Sequence, residues 1–571
     1  MIIRLYHQAF KTLLLLTLTL TSPLVLANNY MVVSEQNDAS KVGADILRAG
    51  GNAIDAAVAV GYALAVVNPC CGNIGGGGFM LIHLADGKNI FINFREKAAA
   101  NASRDMYLNE KGELAEDDIT VGYKAVAVPG TVLGLDTALK KYGTMSRAEV
   151  MAPAIKLAKN GYHVTVTDEV QFDKYASSFL KQPNVSKIFL KNKKPYPIGA
   201  LLKQTDLANT LSLIAEKGPD VFYKGKIAKE VVAASKLNSG ILTMADFAHY
   251  TVEESTPIQC HYHGYTIFSA PPPSSGGVAL CEMLNILDNF PLNEMGYQSV
   301  DATRTIVEAM RYGFIDRNNS LGDPDFVINP LKKLLSIPYA KEISKKIKKS
   351  PRAPLTDTPS VFKELTDTTH YSVVDSKGNA VGVTYSINGF FGARIIAGNT
   401  GFFLNNHMDD FAAKPGTANK FGLVMNEMNA IAPGKRPLSS MSPTIVLRDN
   451  KLAMVLGSPG GPRIISAVLL ALINVVDFNM SIQQAVDSPR FHYQAQPDAI
   501  SMEPLALPSL TRIQLEQRGY QLMPEGFWAA VEAIWVDPKT GDLHGANDRR
   551  RPAGSAVGGV STLNAKVLKS K

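Results

Sequence analysis

The stretch Thr368-Thr369-His370-Tyr371-Ser372-Val373-Val374-Asp375 decides how this chain is read. Ahead of it, residues 345–365 are rich in Lys, Pro, Ser and Thr and carry little apolar period. Behind it, strand-like alternation runs to a turn at Ser376-Lys377-Gly378-Asn379, and a second strand follows from Ala380 to Tyr385. A loose linker entering a hairpin through a hydroxyl residue is a poor domain boundary and a good place for a backbone cut. We read a scission between Asp367 and Thr368, which turns Thr368 into a new N-terminus. Hydroxyl and α-amine then form one nucleophile–base unit.

The chemistry needs that arrangement because a Thr hydroxyl is a weak nucleophile without a base nearby. A terminal amine, with an unperturbed pKa of about 7.7–8.0, is partly neutral at pH 7 and serves as that base. The same hydroxyl can first attack the preceding carbonyl, giving an ester that water opens, so the cut is autocatalytic. Spacing alone leaves Thr366, Thr368 and Thr369 as candidates.

The 571 residues are 46% hydrophobic and 19% charged, an ordinary globular composition. The formal charge of +7 is mostly interleaved with acids, which argues against a nucleic-acid partner. The densest basic run, Lys345 to Lys349, reads as a solvated stretch before the linker. Residues 1–27 have the form of a secretory signal: Arg4 and Lys11, an apolar run from Thr12 to Leu20, and small residues at Val25-Leu26-Ala27. The expected location is therefore periplasmic or secreted, and the expected segments are 1–27 signal, 28–367 large subunit and 368–571 small subunit. No later apolar run is long enough for a membrane helix; Ile464 to Val476 reads as a buried core helix.

Four Cys do not make a disulfide framework in a chain of this length. A bridge between the neighbours Cys70 and Cys71 would be strained, and Cys260 and Cys281 are a candidate pair that sequence cannot settle. Cys260, His261 and His263 make a poor metal site, since the two His share one strand face and Cys260 takes the other.

Helices are predicted at Ala39 to Arg48, Ala53 to Val66, Thr131 to Lys141, Arg147 to Asn160, Asp206 to Glu216, Lys226 to Ser235, Val278 to Leu287 and Val300 to Asp316, the last capped by Ser299. Strands are predicted at Phe79 to Leu84, Asn89 to Phe94, Glu254 to Phe268, Thr444 to Arg448 and Leu452 to Gly457. The run Gly75 to Gly78 lacks the Gly-Lys-Ser/Thr of a phosphate loop and reads as backbone packed too closely for side chains. Arg95, at a strand end beside it, suits an anion. Ser274 and Ser275 lack a nucleophile elbow and read as a helix cap. Residues 415–434 form a long, weakly periodic loop of the kind that acts as a lid.

The run Thr368 to Asp375 resembles the processing site of the γ-glutamyltransferases (γ-glutamyltranspeptidases), which are N-terminal nucleophile hydrolases. The similarity spans roughly residues 30 to 550. It takes in Gly50 to Ala57, Gly75 to Met80, Phe94-Arg95-Glu96, Pro271 to Gly277, Asn405 to Phe411, Arg436 to Pro443 and Gly457 to Gly461. The resemblance implies an α+β fold, a four-layer α/β/β/α sandwich with mainly antiparallel sheets, cut into two chains that stay together as a heterodimer. It implies Thr368 as the nucleophile, supported by the Ser386 hydroxyl. Arg95, Ser439 and Ser440 would hold a glutamate α-carboxylate; Asp410, Asn388 and His407 would hold its α-amine. Gly460 and Gly461 would form the oxyanion hole, and Phe421 would gate the lid. The implied substrates are glutathione and other γ-glutamyl compounds, with water, an amino acid or a dipeptide as acceptor, and no metal or organic cofactor.

Two positions depart from the family pattern. Ser386 stands where many members carry Thr, and His407 where Gln or Glu is usual. A protonated His407 would repel an ammonium, so weaker binding is expected on the acidic side of pH 5 to 8. Two rival readings are an amidase of the same fold, such as a cephalosporin acylase, and an amino-acid-binding protein without turnover.

Overall fold

A computed structural model describes residues 28–349 and 368–560. Asp367 and the signal-like residues 1–27 lie outside the described residues.

Two antiparallel sheets carry the architecture. The first runs, edge to edge, Ser555–Gly559, Tyr30–Ser34, Thr369–Val374, Ala380–Ser386, Gly77–His83, Asn89–Phe94 and Glu253–Ser255. The second runs Leu543–Asn547, Glu532–Val536, Lys451–Gly457, Thr444–Arg448, Tyr265–Ser269 and Ile258–Tyr262. Alternating side chains sort the layers. In Tyr30–Ser34, Tyr30 and Val32 face a helical layer, while Met31 and Val33 face the other sheet. Leu81 and Val374 of the first sheet meet Ile445 and Val455 of the second in a dry seam. The far face of the first sheet packs on Ala53–Val67, a helix buried along its whole length. The far face of the second packs on Gly276–Leu287 and Arg463–Val476. The result is the four-layer sandwich, helices outside and sheets inside.

The segments on either side of the expected cut interleave. Each sheet takes strands from before residue 349 and from after residue 368. Separating the two parts would therefore strip ladder bonds from both sheets at once.

Several details differ from the sequence reading. Glu254 to Phe268 breaks into three strands. Lys345 to Lys349 is the end of a helix, Ile337–Lys349, whose Ala340, Ile343 and Ile347 are buried at helical spacing. Cys70–Cys71 and Cys260–Cys281 are both disulfide-bonded. His261 is exposed on its strand and His263 sits in the following turn at φ 45°, its Nδ1 3.2 Å from Asp477. Among the described residues, no helix is long and apolar enough to cross a membrane.

Candidate active site

The central hairpin places the nucleophile. Thr369 pairs with Tyr385, so Thr368 lies at the strand mouth beside Ser386. Its Oγ1 donates to Ser386 Oγ at 3.3 Å, and Ser386 Oγ accepts the Asn388 amide at 2.8 Å. The glycine run builds the adjoining wall. A Cβ on Gly75, Gly76, Gly77 or Gly78 would collide with the carbonyl oxygen of Phe403, Ser386, Phe94 or Thr384 respectively. Close backbone approach, rather than phosphate binding, is thus why four glycines stand there.

Gly460 and Gly461 have φ of 129° and 56°, the left-handed region that glycine tolerates. Their carbonyls accept the amides of Arg463 and Ile464, which open the helix Arg463–Val476. Among the described residues neither glycine amide donates within the protein. Two backbone donors at a helix N-terminus suit a developing oxyanion.

Arg95 is completely buried. Its guanidinium bonds Asp410, donates through Nε to Pro437 O at 3.2 Å, and lies 3.6 Å from Glu96. Two residues expected to hold opposite ends of a zwitterion therefore hold each other. Arg436 braces this arrangement by donating to Arg95 O, Thr251 O and Glu253.

Ser439 and Ser440 ride on a loop locked against Ser274 and Ser275. Ser275 Oγ donates to Ser439 O at 2.6 Å, and Ser274 Oγ donates to Met441 O at 2.6 Å. Ser274 also accepts the Gly276 amide, while Ser275 makes no side-chain cap. Bracing the serine loop, more than capping, is the work of this pair. Ser299, in contrast, caps its helix as expected, accepting the Ala302 amide at 3.1 Å.

The sequence reading missed Arg317. This guanidinium is buried, donates from Nη2 to Ser440 Oγ at 3.2 Å and from Nε to Ser275 Oγ at 3.1 Å, and makes no ion pair among the described residues. Burial lowers its pKa to about 10, offset by Asp410, so it stays charged at neutral pH. It projects from Val300–Ser320, a helix called for its apolar period, and only its charge on a buried face could have marked it.

His407 is buried with Nδ1 2.6 Å from Glu96 Oε1, off the line a hydrogen bond needs. Burial, with Arg95 and Lys420 adding to it and Asp410 opposing, holds the imidazole well below its ordinary pKa. The expected protonation of His407 between pH 5 and 8 therefore does not follow. Glu96 is the group poised there: burial raises it to about 7 against the pull of Arg95 and Arg436.

Thr368, Asn388, His407, Asp410, Ser439, Ser440 and Gly461 all line one cavity of about 30 Å³, together with Arg317 and Phe421. Ser386 and Arg95 sit directly behind it through Thr368 and Asp410. Gly460 lines a second cavity instead. Phe421 is buried, and its carbonyl accepts Gln494 Nε2 at 2.9 Å. Asn429, further along the same loop, donates to Asp410 O at 2.7 Å and accepts the Leu438 amide at 3.0 Å, so the loop is tied to the backbone of Asp410 and of the residue before Ser439.

A four-layer sandwich whose central strand opens on a threonine, in a cavity shared with a glycine turn at a helix start and with charged side chains, is an N-terminal nucleophile hydrolase. The chain belongs to the gamma-glutamyltranspeptidase family, matching it over residues 39–558. It is 48% identical over 544 residues to a glutathione hydrolase proenzyme of Pseudomonas sp. (strain A14), covering 93% of this chain and 94% of that one. The structure resembles cephalosporin acylase from Bacillus halodurans (TM-score 0.82, 28% identity, 93% and 96% of the two chains). It also resembles Helicobacter pylori gamma-glutamyltranspeptidase (TM-score 0.54, 43% identity, 57% of this chain and 91% of that one).

Proposed function

We propose that this chain is a γ-glutamyltransferase and glutathione hydrolase that matures by cutting itself before Thr368. The observation that carries the reading is the shared cavity: a strand-opening threonine, a glycine amide and a clamp of both charges line one small space. A γ-glutamyl group offers three matching features, a reactive carbonyl, an α-carboxylate and an α-ammonium. Arg95, Ser439 and Ser440 take the carboxylate, with Arg317 behind Ser440. Asp410, Asn388 and His407 take the ammonium. Substrate entry opens the Arg95–Asp410 pair and replaces it with two pairs of the same sign order.

Thr368 Oγ attacks the γ-carbonyl carbon, and its proton passes to the Thr368 amine. The amides of Gly460 and Gly461 hold the oxyanion; one such donor is worth about 2.7–4 kcal/mol of barrier. The C–N bond breaks, the amine proton goes to the leaving nitrogen, and cysteinylglycine departs from glutathione. Water or an acceptor amine then attacks the ester, the C–O bond to Thr368 breaks, and the hydroxyl proton returns. A cavity of about 30 Å³ holds a water or two, so Phe421 and its loop must shift to admit the donor.

Residues 28–367 and 368–571 stay together after the cut, a reading supported by their interleaved strands. Export through residues 1–27 to the periplasm or beyond is supported by two disulfides, which persist in oxidising compartments. The resemblance to an acylase raises a second reading, an acyl group without an α-amine. Asp410, partly buried at the cavity, argues against it, because that carboxylate would lose its incoming partner.

The test is to purify wild type and Thr368→Ala. Wild type should give two fragments, the smaller beginning at Thr368, and should release aniline from a γ-glutamyl anilide but not from the glutaryl anilide that lacks the amine. The variant should stay whole and lose at least about 10⁴-fold in rate. Fully active, uncut wild-type chain would overturn the proposal.

A further inference from the structure

Thr368 ends a row of side chains that faces the second sheet. Tyr371 and Val373 turn toward the helical layer, so His370 and Ser372 turn the other way. Across the hairpin His370 pairs with Thr384, and Thr368 meets Ser386 at the mouth. His370 is completely buried, and burial holds its pKa at about 3, so the ring is neutral.

The hydrogen bonds of this row fix its protons. Ser372 Oγ donates to Glu532 O at 2.9 Å, which uses its only proton. Ser372 Oγ therefore accepts from His370 Nε2 at 3.1 Å. The neutral ring then carries its lone pair on Nδ1, which accepts from Thr384 Oγ1 at 2.8 Å. The His370 amide donates to Glu35 Oε1 at 3.2 Å. Both ring nitrogens are thus satisfied inside the protein, and the ring does not line the nucleophile's cavity.

The ring packs instead on the backbone of Gly457. A Cβ there would lie 2.3 Å from Cε1, 2.4 Å from Nδ1 and 2.7 Å from Nε2. Gly457 pairs with Glu532, so the ring and the Ser372 hydroxyl press on one rung of the second sheet. Asn547 Nδ2 pins that rung, donating to both Glu532 carboxylate oxygens at 3.0 Å. Gly457 ends its strand, and the chain runs from it through Ser458 and Pro459 into Gly460 and Gly461. Measured along the chain, the contact is no more than about 7 Å from Thr368 and about 11 Å from Gly460.

We propose that His370 is a positioning residue, a spacer whose ring sets the distance between the Thr368 hydroxyl and the Gly460–Gly461 turn. The inference rests on the acyl-transfer reading above, which makes that distance the one between nucleophile and oxyanion donors. Crowding or removing the ring shifts one against the other, and a shift of about 1 Å can cost about 100-fold in rate. Arg95, Asp410, Ser439 and Ser440 stand on other segments, so affinity for the γ-glutamyl group is spared.

The test uses Gly457→Ala, His370→Ser and the double variant, each in the full chain. Hydrolysis of a γ-glutamyl anilide gives kcat, and inhibition by glutamate gives affinity without chemistry. Gly457→Ala, whose methyl meets the ring, should lower kcat about 100-fold, and His370→Ser, which leaves a gap, at least about tenfold. The double variant, in which the methyl has room, should run at least about tenfold faster than Gly457→Ala. The glutamate inhibition constant should stay within about twofold of wild type throughout. A double variant no faster than Gly457→Ala, or losses carried by glutamate affinity, would overturn the spacer. If Gly457→Ala accumulates only as uncut chain, the same comparison is read from the fraction cut before Thr368. The double variant should restore that fraction, and a double variant that stays uncut would also overturn the spacer. Wild type that fails to hydrolyse the anilide would instead overturn the acyl-transfer reading.

Discussion

The two walls of the nucleophile's cavity are built on opposite plans. The wall that carries Thr368 is backbone: strand ladders, four glycines against carbonyl oxygens, and two glycine amides at a helix start. The facing wall is charge: Arg95, Glu96, His407 and Arg317, all buried, with the partly buried Asp410 among them. Backbone cannot repack without breaking sheet, so the first wall fixes where bonds are made. Buried charges can exchange partners at small displacement, so the second wall can close on itself and reopen on a zwitterion. Positioning is assigned to the part that cannot move, and recognition to the part that can.

That contrast is broken most severely at Gly76. A methyl there collides with Ser386 O, on the residue that supports the nucleophile. Gly76→Ala should cost more than about 3 kcal/mol, as overpacking against rigid backbone does. It should also block self-cleavage, read as a single uncut band and a lowered denaturation midpoint. A variant that cuts and folds normally would show this wall to be softer than argued.

The charged wall gives a different signature, a dependence on pH. Glu96 rises from its usual 4.5 to about 7 on burial. A carboxyl with a folded value above its unfolded one binds its proton more tightly when folded. Its stabilisation is complete below about pH 4.5 and is lost as pH rises through 7, a change of about 3 kcal/mol. Wild type should weaken across that window, while Glu96→Gln, fixed in the neutral form, should lack that component. Denaturation midpoints at pH 4.5, 6 and 7.5 measure the difference; parallel profiles would remove Glu96 from the account.

The backbone wall was the more legible in sequence. Gly75 to Gly78 could be read as close packing because glycine has few other reasons to recur, and the hairpin around residues 376–379 announced itself through period and turn residues. The hairpin left Thr366, Thr368 and Thr369 open, and the choice of Thr368 came from the resemblance. Individual charges in the second wall came from resemblance, and their pairing came from neither source. Nothing in the spacing says that Arg95 meets Asp410, 315 positions away, or that Ser275 braces Ser439. The Ile337–Lys349 helix was missed because Lys residues hid a period carried by Ala340, Ile343 and Ile347. His407 was misjudged because its pKa depends on burial, which a single sequence does not display.

Arg317 gives the finest test of the charged wall, because it touches Ser440 without joining the Arg95–Asp410 pair. A buried guanidinium without a carboxylate is costly unless a ligand supplies one. Arg317→Met keeps most of the side chain's length and removes the charge. It should raise the KM for a γ-glutamyl anilide by roughly thirtyfold, the equivalent of about 2 kcal/mol for a hydrogen bond to a charged group. The 4-aminobutyryl anilide has the amine but no α-carboxylate, so its weaker turnover should be indifferent to the change. If both substrates lose equally, Arg317 serves only to hold the loop of Ser275 and Ser440 in place. If only the carboxylate-bearing substrate suffers, the second wall uses two guanidinium groups on one carboxylate, one pre-paired with Asp410 and one waiting.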